Sequence, residues 1–253
     1  MEIIYGVHPV QAALAACRRS LDAVHVIGAG RGKKRFGPIL ELAARAGVPV
    51  VETAADQIER MAGSTAHQGV AARASGFPLV ALADLPGVKN FSADAFLLIA
   101  DGIVDPHNLG ALIRTGACVG LDGVIIPRDN AASPTPAVSK ASAGAMENMA
   151  VARETNIART MDRLKEIGFW ITGLDSTGQT SVFDADLTGP MALVIGGEDR
   201  GIRRLVREKC DLIVSIPQKS TVNSLNASVA GGIAMYEVLR QRQAGMDAGG
   251  KGG

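Results

Sequence analysis

The residues of this chain that could do chemistry fall into three clusters. The first runs Asp101-Gly102-Ile103-Val104-Asp105-Pro106-His107-Asn108-Leu109-Gly110 and on to Arg114. Asp105 can cap a helix whose first residue is Pro106. His107 and Arg114 are seven apart, nearly on one helical face two turns along. The second, Ile195-Gly196-Gly197-Glu198-Asp199-Arg200-Gly201-Ile202, carries two glycines that allow a backbone to approach a ligand closely. The third spans Ile216-Pro217 to Gly232-Ile233, where Ser224, Asn226 and Ser228 supply donors and acceptors but no strong acid or base. Only His107 and Glu198 offer an obvious proton acceptor in these clusters. Taken singly, each has a plainer reading: a capped surface helix, a tight turn capped at Asp199, and a polar helix start followed by the small packing residues Ala227, Ala230 and Gly231.

Familiar phosphate and metal motifs fail. Gly28-x-Gly30 follows a predicted strand, but Lys33 stands where a dinucleotide fingerprint needs its third glycine. Gly32-Lys33 lacks the upstream glycine of a P-loop, since Ile27 sits there, and Lys34 replaces the Ser or Thr. His8, His25, His67 and His107 are scattered, so no metal is expected. A G-x-S-x-G elbow is missing too.

The elements that must position the clusters form two series. The N-terminal series predicts a helix from Pro9, a strand at 24–27, a helix over 39–43, a short strand at 48–51, a helix over 55–61 and a closing strand at 67–73. Residues 74–93, with Gly76, Pro78, Pro86 and Gly87, read as a linker. From 94 to 243, strands at 95–100, 123–126, 169–174, 192–195 and 212–216 alternate with helices over 108–119, 156–167, 202–208 and 222–240. Short apolar runs separated by helices predict an α/β fold with a parallel sheet covered on both faces. All three clusters then lie at or just past the carboxyl ends of strands, where such sheets bind ligands. The glycine-rich tail, 244–253, is expected to be disordered.

The 253 residues are 47% hydrophobic and 20% charged, enough to bury a core and outside the disordered and collagen-like classes. No apolar run approaches the roughly 20 residues of a membrane helix, and the start lacks the basic region of a secretory signal. Three cysteines, far apart and odd in number, make no disulfide framework, which points to a reducing cytoplasm. Residues 1–92 hold 10 Lys and Arg against 7 Asp and Glu; the remainder hold 16 against 18. The positive charge gathers on Arg31, Lys33, Lys34 and Arg35 in a glycine-rich stretch read as a loop. Such a loop can reach a phosphate backbone or simply be solvated, so any RNA contact must be local.

Taken together, D-P-H-N-L-G…R, I-G-G-E-x-x-G and I-P…S-L-N-A-S-V-A, in that order, resemble the SpoU (TrmH-type) branch of the SPOUT RNA ribose methyltransferases. Ile4-Tyr5-Gly6-Val7-His8 and His67-Gln68-Gly69 extend the resemblance over nearly the whole chain, to the bacterial group that methylates guanosine 2′-oxygens of 23S rRNA. The resemblance implies an L30e-like RNA-binding domain over 1–73 and a SPOUT domain with a deep trefoil knot over 94–243. It also implies a homodimer and S-adenosylmethionine as methyl donor. By the same resemblance Gly196, Ile216 and Leu225 hold the donor, and Asn108, Arg114, Glu198, Ser224 and Asn226 are active-site residues. Arg114, a poor base because a guanidinium keeps its proton, would hold a phosphate and steady the developing oxyanion. Rival readings are a tRNA or antibiotic-resistance methyltransferase, a non-catalytic RNA-binding or ribosome-assembly protein, and a nucleotide-dependent oxidoreductase, the last disfavoured by the failed fingerprint.

Overall fold

The computed structural model describes the backbone of residues 1–198, 200–219 and 225–249, and their side chains apart from residues 29–34 and 246–249. In chain order the elements are β1 (Glu2–Tyr5), α1 (Val7–Ala16), β2 (Leu21–Val26), α2 (Ala29–Arg45), β3 (Val50–Glu52), α3 (Ala55–Ala62), β4 (Val70–Ala74), α4 (Pro86–Lys89), β5 (Phe96–Asp101), α5 (Pro106–Cys118) and β6 (Gly123–Pro127). They continue with α6 (Pro136–Ala141), β7 (Val151–Glu154), α7 (Ile157–Ile167), β8 (Trp170–Leu174), β9 (Thr180–Ser181), β10 (Met191–Gly196), α8 (Arg204–Glu208), β11 (Leu212–Ser215) and α9 (Ala227–Gly249).

These elements make two compact units, Met1–Pro78 with Pro134–Asn148, and Leu79–Ser133 with Met149–Gly253. The first holds a four-stranded mixed sheet in the order β1-β4-β2-β3. Ile4, Val10, Leu14, Val24, Ile39 and Val70 belong to its core. Residues 134–148 join this unit through a buried ionic cluster. Glu147 is 1% exposed, accepts a hydrogen bond from the Ser139 hydroxyl at 2.6 Å and pairs with Arg19 at 3.1 Å. Arg19 also reaches Glu2 at 3.1 Å. Burial pushes the Glu147 carboxyl above its ordinary range, the Ser139 bond and the Arg19 charge acting the other way. Breaking such a buried pair on one side strands the other charge, at a cost of about 3–5 kcal/mol.

The second unit is a seven-stranded sheet in the order β7-β6-β5-β10-β8-β11-β9, with every pairing parallel. The central strands, FLLIAD and MALVIG, are buried at every position. Such continuous apolar runs are the mark of a sheet covered on both faces. The five strands expected in this half are all present, and β7 and β9 are additional.

Three expectations change. The basic stretch read as a loop is helical from Ala29, within the 17-residue α2. Its glycines at 30 and 32 suggest a breaker, yet Phe36, Ile39 and Ala43 are buried in the unit's core at helical spacing. Residues 79–93 are not a spacer, since Leu82 and Leu85 sit in the core of the second unit. α9 runs to Gly249, past the expected boundary at 243.

Cys210 packs against the core of the second unit, and burial pushes its thiol up to about 12. It is therefore a poor nucleophile at neutral pH. Iodoacetamide on the native protein at pH 8 is expected to label exposed Cys17 and spare Cys210; peptide mass mapping checks it, and equal labelling of the two would contradict the packing.

Candidate active site

At the carboxyl edge of the large sheet, Asp101 ends β5 opposite Gly196 of β10. The Asp101 side chain is fully buried, and Arg203 compensates its charge. The Arg203 backbone N–H donates to Oδ2 at 2.9 Å and its Nε to Oδ1 at 2.8 Å, with Nη2 on the same oxygen. The Gly197 N–H donates to the Asp101 carbonyl at 3.0 Å. The chain at the end of β10 is thus pinned to the end of β5, with no space for a side chain at Gly196 or Gly197. A Cβ on Gly196 would lie 2.1 Å from the Gly201 carbonyl carbon, and one on Gly197 would lie 2.3 Å from the Gly102 oxygen.

α5 begins as its sequence predicts, with Asp105 Oδ1 accepting the His107 N–H at 2.9 Å and Pro106 in the first turn. That turn carries Asn108, 8% exposed. Its amide joins the other two clusters: Nδ2 donates to Glu198 Oε1, and Oδ1 accepts from Asn226 Nδ2 at 3.0 Å. Asn226 Oδ1 in turn accepts the Ser228 N–H at 2.9 Å and the Ser228 hydroxyl at 2.6 Å, capping α9. A carboxamide donates and accepts at once, which suits it to this bridging position.

A cavity of about 390 Å³ opens beside the bridge, within the range of about 300–1,000 Å³ usual for small-molecule sites. Gly196, Ile216 and Leu225 line it, as do Glu198 and Asn226. α9 closes one side, seated so tightly that a Cβ on Gly231 would lie 2.4 Å from Ile195 Cδ1 and from Leu112 Cδ2.

Residues 95–236, which contain all of these groups, match the model of the SpoU rRNA Methylase family; residues 3–79 match that for RNA 2′-O ribose methyltransferase substrate binding. The chain belongs to the SpoU rRNA methylase family. It is 40% identical over 242 residues to the 23S rRNA (guanosine-2′-O-)-methyltransferase RlmB of Shewanella oneidensis, covering 96% of this chain and 98% of that one. The corresponding protein of Haemophilus ducreyi is also 40% identical over 242 residues, covering 95% and 98%. Among solved structures, the SpoU methyltransferase AviRb of Streptomyces viridochromogenes, in complex with AdoMet, superposes with a TM-score of 0.81 at 26% identity. It covers 96% of this chain and 90% of that one.

Within this family fold the expected residues divide. Asn108, Glu198 and Asn226 are joined by hydrogen bonds, and Gly196, Ile216 and Leu225 share the cavity. Arg114 is exposed on α5 and forms no side-chain hydrogen bond or ion pair among the described residues. Six residues on from Asn108, it points about 120° around the helix, on the face of exposed His107. Ser224 and the side chains of Arg31, Lys33 and Lys34 lie outside the described residues. Arg35 is exposed on α2, its guanidinium 5.6 Å from the Phe36 ring centre.

Sequence reasoning passed over Asp175, which lines the cavity from the end of β8. Its Oδ1 accepts the Thr177 N–H at 2.9 Å and the Thr177 hydroxyl at 2.6 Å, and pairs with Arg207 at 2.9 Å. Burial raises its carboxyl, but the bonds from Thr177 and Arg207 outweigh that and hold it below the ordinary carboxylate range. The signal was an Asp placed two residues before Thr at a strand exit, the pattern of an Asx turn.

Gly196→Ala is expected to destabilise the fold by about 1–3 kcal/mol, the usual penalty of overpacking, because the added methyl meets backbone that cannot swing aside. Urea denaturation checks it; an unchanged midpoint would show that the loop relaxes freely.

Proposed function

We propose that this chain transfers a methyl group from S-adenosylmethionine to a ribose 2′-hydroxyl of RNA, at a guanosine of 23S rRNA. The observation that carries the reading is the Asn108 bridge. It draws Glu198 and Asn226, from segments far apart in sequence, to the rim of a cavity lined by Gly196, Ile216 and Leu225. Its agreement with a family whose relatives are named for this reaction supports the chemistry.

The residues present fit a nucleoside sulfonium. Ile195, Ile216 and Leu225 offer apolar wall to an adenine, and the glycine-lined stretch after β10 brings main chain close to it. When bound, the donor supplies a methyl group already activated by positive charge on sulfur. The protein then has to place a 2′-oxygen against that methyl and stabilise the charge developing on it. Asn108 holds Glu198 and Asn226 in register at the rim. Ser224 and Asn226 shape the ribose and donor sites. Arg114, unpaired on α5 among the described residues, serves the phosphate next to the reacting ribose and steadies the oxyanion.

The unit Met1–Pro78 with Pro134–Asn148 selects the RNA, with Arg31, Lys33, Lys34 and Arg35 meeting its phosphates, and the unit Leu79–Ser133 with Met149–Gly253 is the catalytic domain with its deep trefoil knot. The working form is a homodimer in the cytoplasm. α9 supports the pairing: Val229 and Tyr236, 51% and 53% exposed, lie seven apart on one face beside the site. An exposed apolar stripe of this kind suits a second copy.

Incubation with S-adenosylmethionine and unmodified 23S rRNA, followed by mapping of 2′-O-methyl positions, is expected to find a single modified guanosine. Methylation of tRNA alone, or of neither RNA, would overturn the substrate assignment. Arg114→Ala is expected to slow methylation about 100-fold or more while calorimetry finds donor affinity within about threefold of wild type, well under the 1.4 kcal/mol of a tenfold change. Equal loss of both in a folded variant would contradict the role given to Arg114.

A further inference from the structure

We infer that Asp175 makes the cavity charge-selective, so that it holds the cationic donor in preference to the neutral thioether left after transfer. The inference rests on the methyl-transfer reading above and adds a residue that neither the motifs nor the Asn108 bridge includes.

The geometry of Asp175 is lopsided. Among the described residues, every donor to its carboxylate falls on one oxygen: the Thr177 N–H, the Thr177 hydroxyl and the Arg207 guanidinium all meet Oδ1. Oδ2 takes no hydrogen bond among the described residues. It sits 3.6 Å from the point where a Cβ on Gly201 would lie, and both Asp175 and Gly201 line the cavity. The side chain is 16% exposed, so the carboxylate is partly shielded from bulk water. Among the described lining residues there are two carboxylates, Asp175 and Glu198, and no Lys, Arg or His. Glu198 is tied through Oε1 to Asn108 at the rim, whereas Asp175 Oδ2 lies at the end of β8 beside Gly201, with no hydrogen bond of its own among the described residues.

Methyl transfer breaks the S–CH₃ bond, leaves its electron pair on sulfur, forms the O–CH₃ bond and releases the 2′-hydroxyl proton. The ligand in the cavity thereby loses one positive charge while keeping its shape. Hydrogen bonds and apolar contacts hold the two forms alike; a fixed negative charge does not. A carboxylate several Å away in a partly screened site, its charge partly offset by Arg207, separates them by a factor on the order of ten. Asp175 thus favours exchange of spent ligand for fresh donor.

Isothermal titration of the full chain with S-adenosylmethionine, S-adenosylhomocysteine and sinefungin, which carries an ammonium near the sulfonium position, tests this. In Asp175→Asn the two cationic ligands are expected to lose about tenfold more affinity than the neutral one. Arg207→Gln, which leaves the carboxylate in place, is expected to keep or increase the preference for cations, and it decides the matter if Asp175→Asn fails to fold. Equal weakening of all three ligands in Asp175→Asn would overturn the inference and reduce Asp175 to a turn anchor or a hydroxyl acceptor. Loss of the preference in Arg207→Gln would overturn it as well. Wild-type protein that binds none of the three would overturn the methyl-transfer reading itself, and this inference with it.

Discussion

The rung that sets Gly196 opposite Asp101 fixes the carboxyl edge of the large sheet beside which the cavity lies. In a parallel sheet the carboxyl ends of neighbouring strands come out on one edge. Here the chain leaves β5 toward β6 and β7, then returns on the other side as β8 and β10. That reversal opens a crevice at the β5–β10 boundary. A buried carboxylate at its floor, Asp101, demands a cation, and Arg203 meets the demand with its backbone as well as its guanidinium. The glycine stretch after β10 is fixed as a consequence, and the small-molecule cavity is what remains beside it.

Two kinds of polar group are handled differently around that cavity. Carboxylates and carboxamides face inward and are tied to one another or to neighbouring loops, as Asn108 is to Glu198 and Asn226. The cation with the expected catalytic part, Arg114, stands in solvent on the outer face of α5. A guanidinium held inside would repel a cationic donor; outside, it is open to the phosphates of an approaching RNA. On the proposed reading, the arrangement separates donor binding from substrate recognition by charge sign.

The smaller unit solves a different problem. Its sheet of four short strands buries a modest core, and it gains residues 134–148 from the middle of the chain through the Arg19–Glu147–Ser139 cluster. A buried ion pair of this kind contributes specificity more readily than stability. It fixes which segment completes the unit, because any other would leave Arg19 buried without Glu147.

Local pattern alone determined a good deal here. The apolar runs of β5, β6, β8, β10 and β11 and the Asp105-Pro106 cap are legible because burial on both faces and helix capping act over a few neighbouring residues. The ordered motifs carried the family resemblance, and with it Gly196, Ile216 and Leu225. The start of α2 is not legible in the sequence, because its early glycines argue against a helix that Phe36 and Ile39 make worthwhile only once they have a core to fill. β7, four residues long with a charged end, becomes a strand only because β6 offers it a ladder. The Asn108 bridge spans 90 residues to Glu198 and 118 to Asn226, and Asp175 reaches the cavity from a strand whose neighbours are not its neighbours in sequence. Strand order and register decided those contacts, since they depend on which distant segments share a sheet edge, and spacing within one segment carries no record of that.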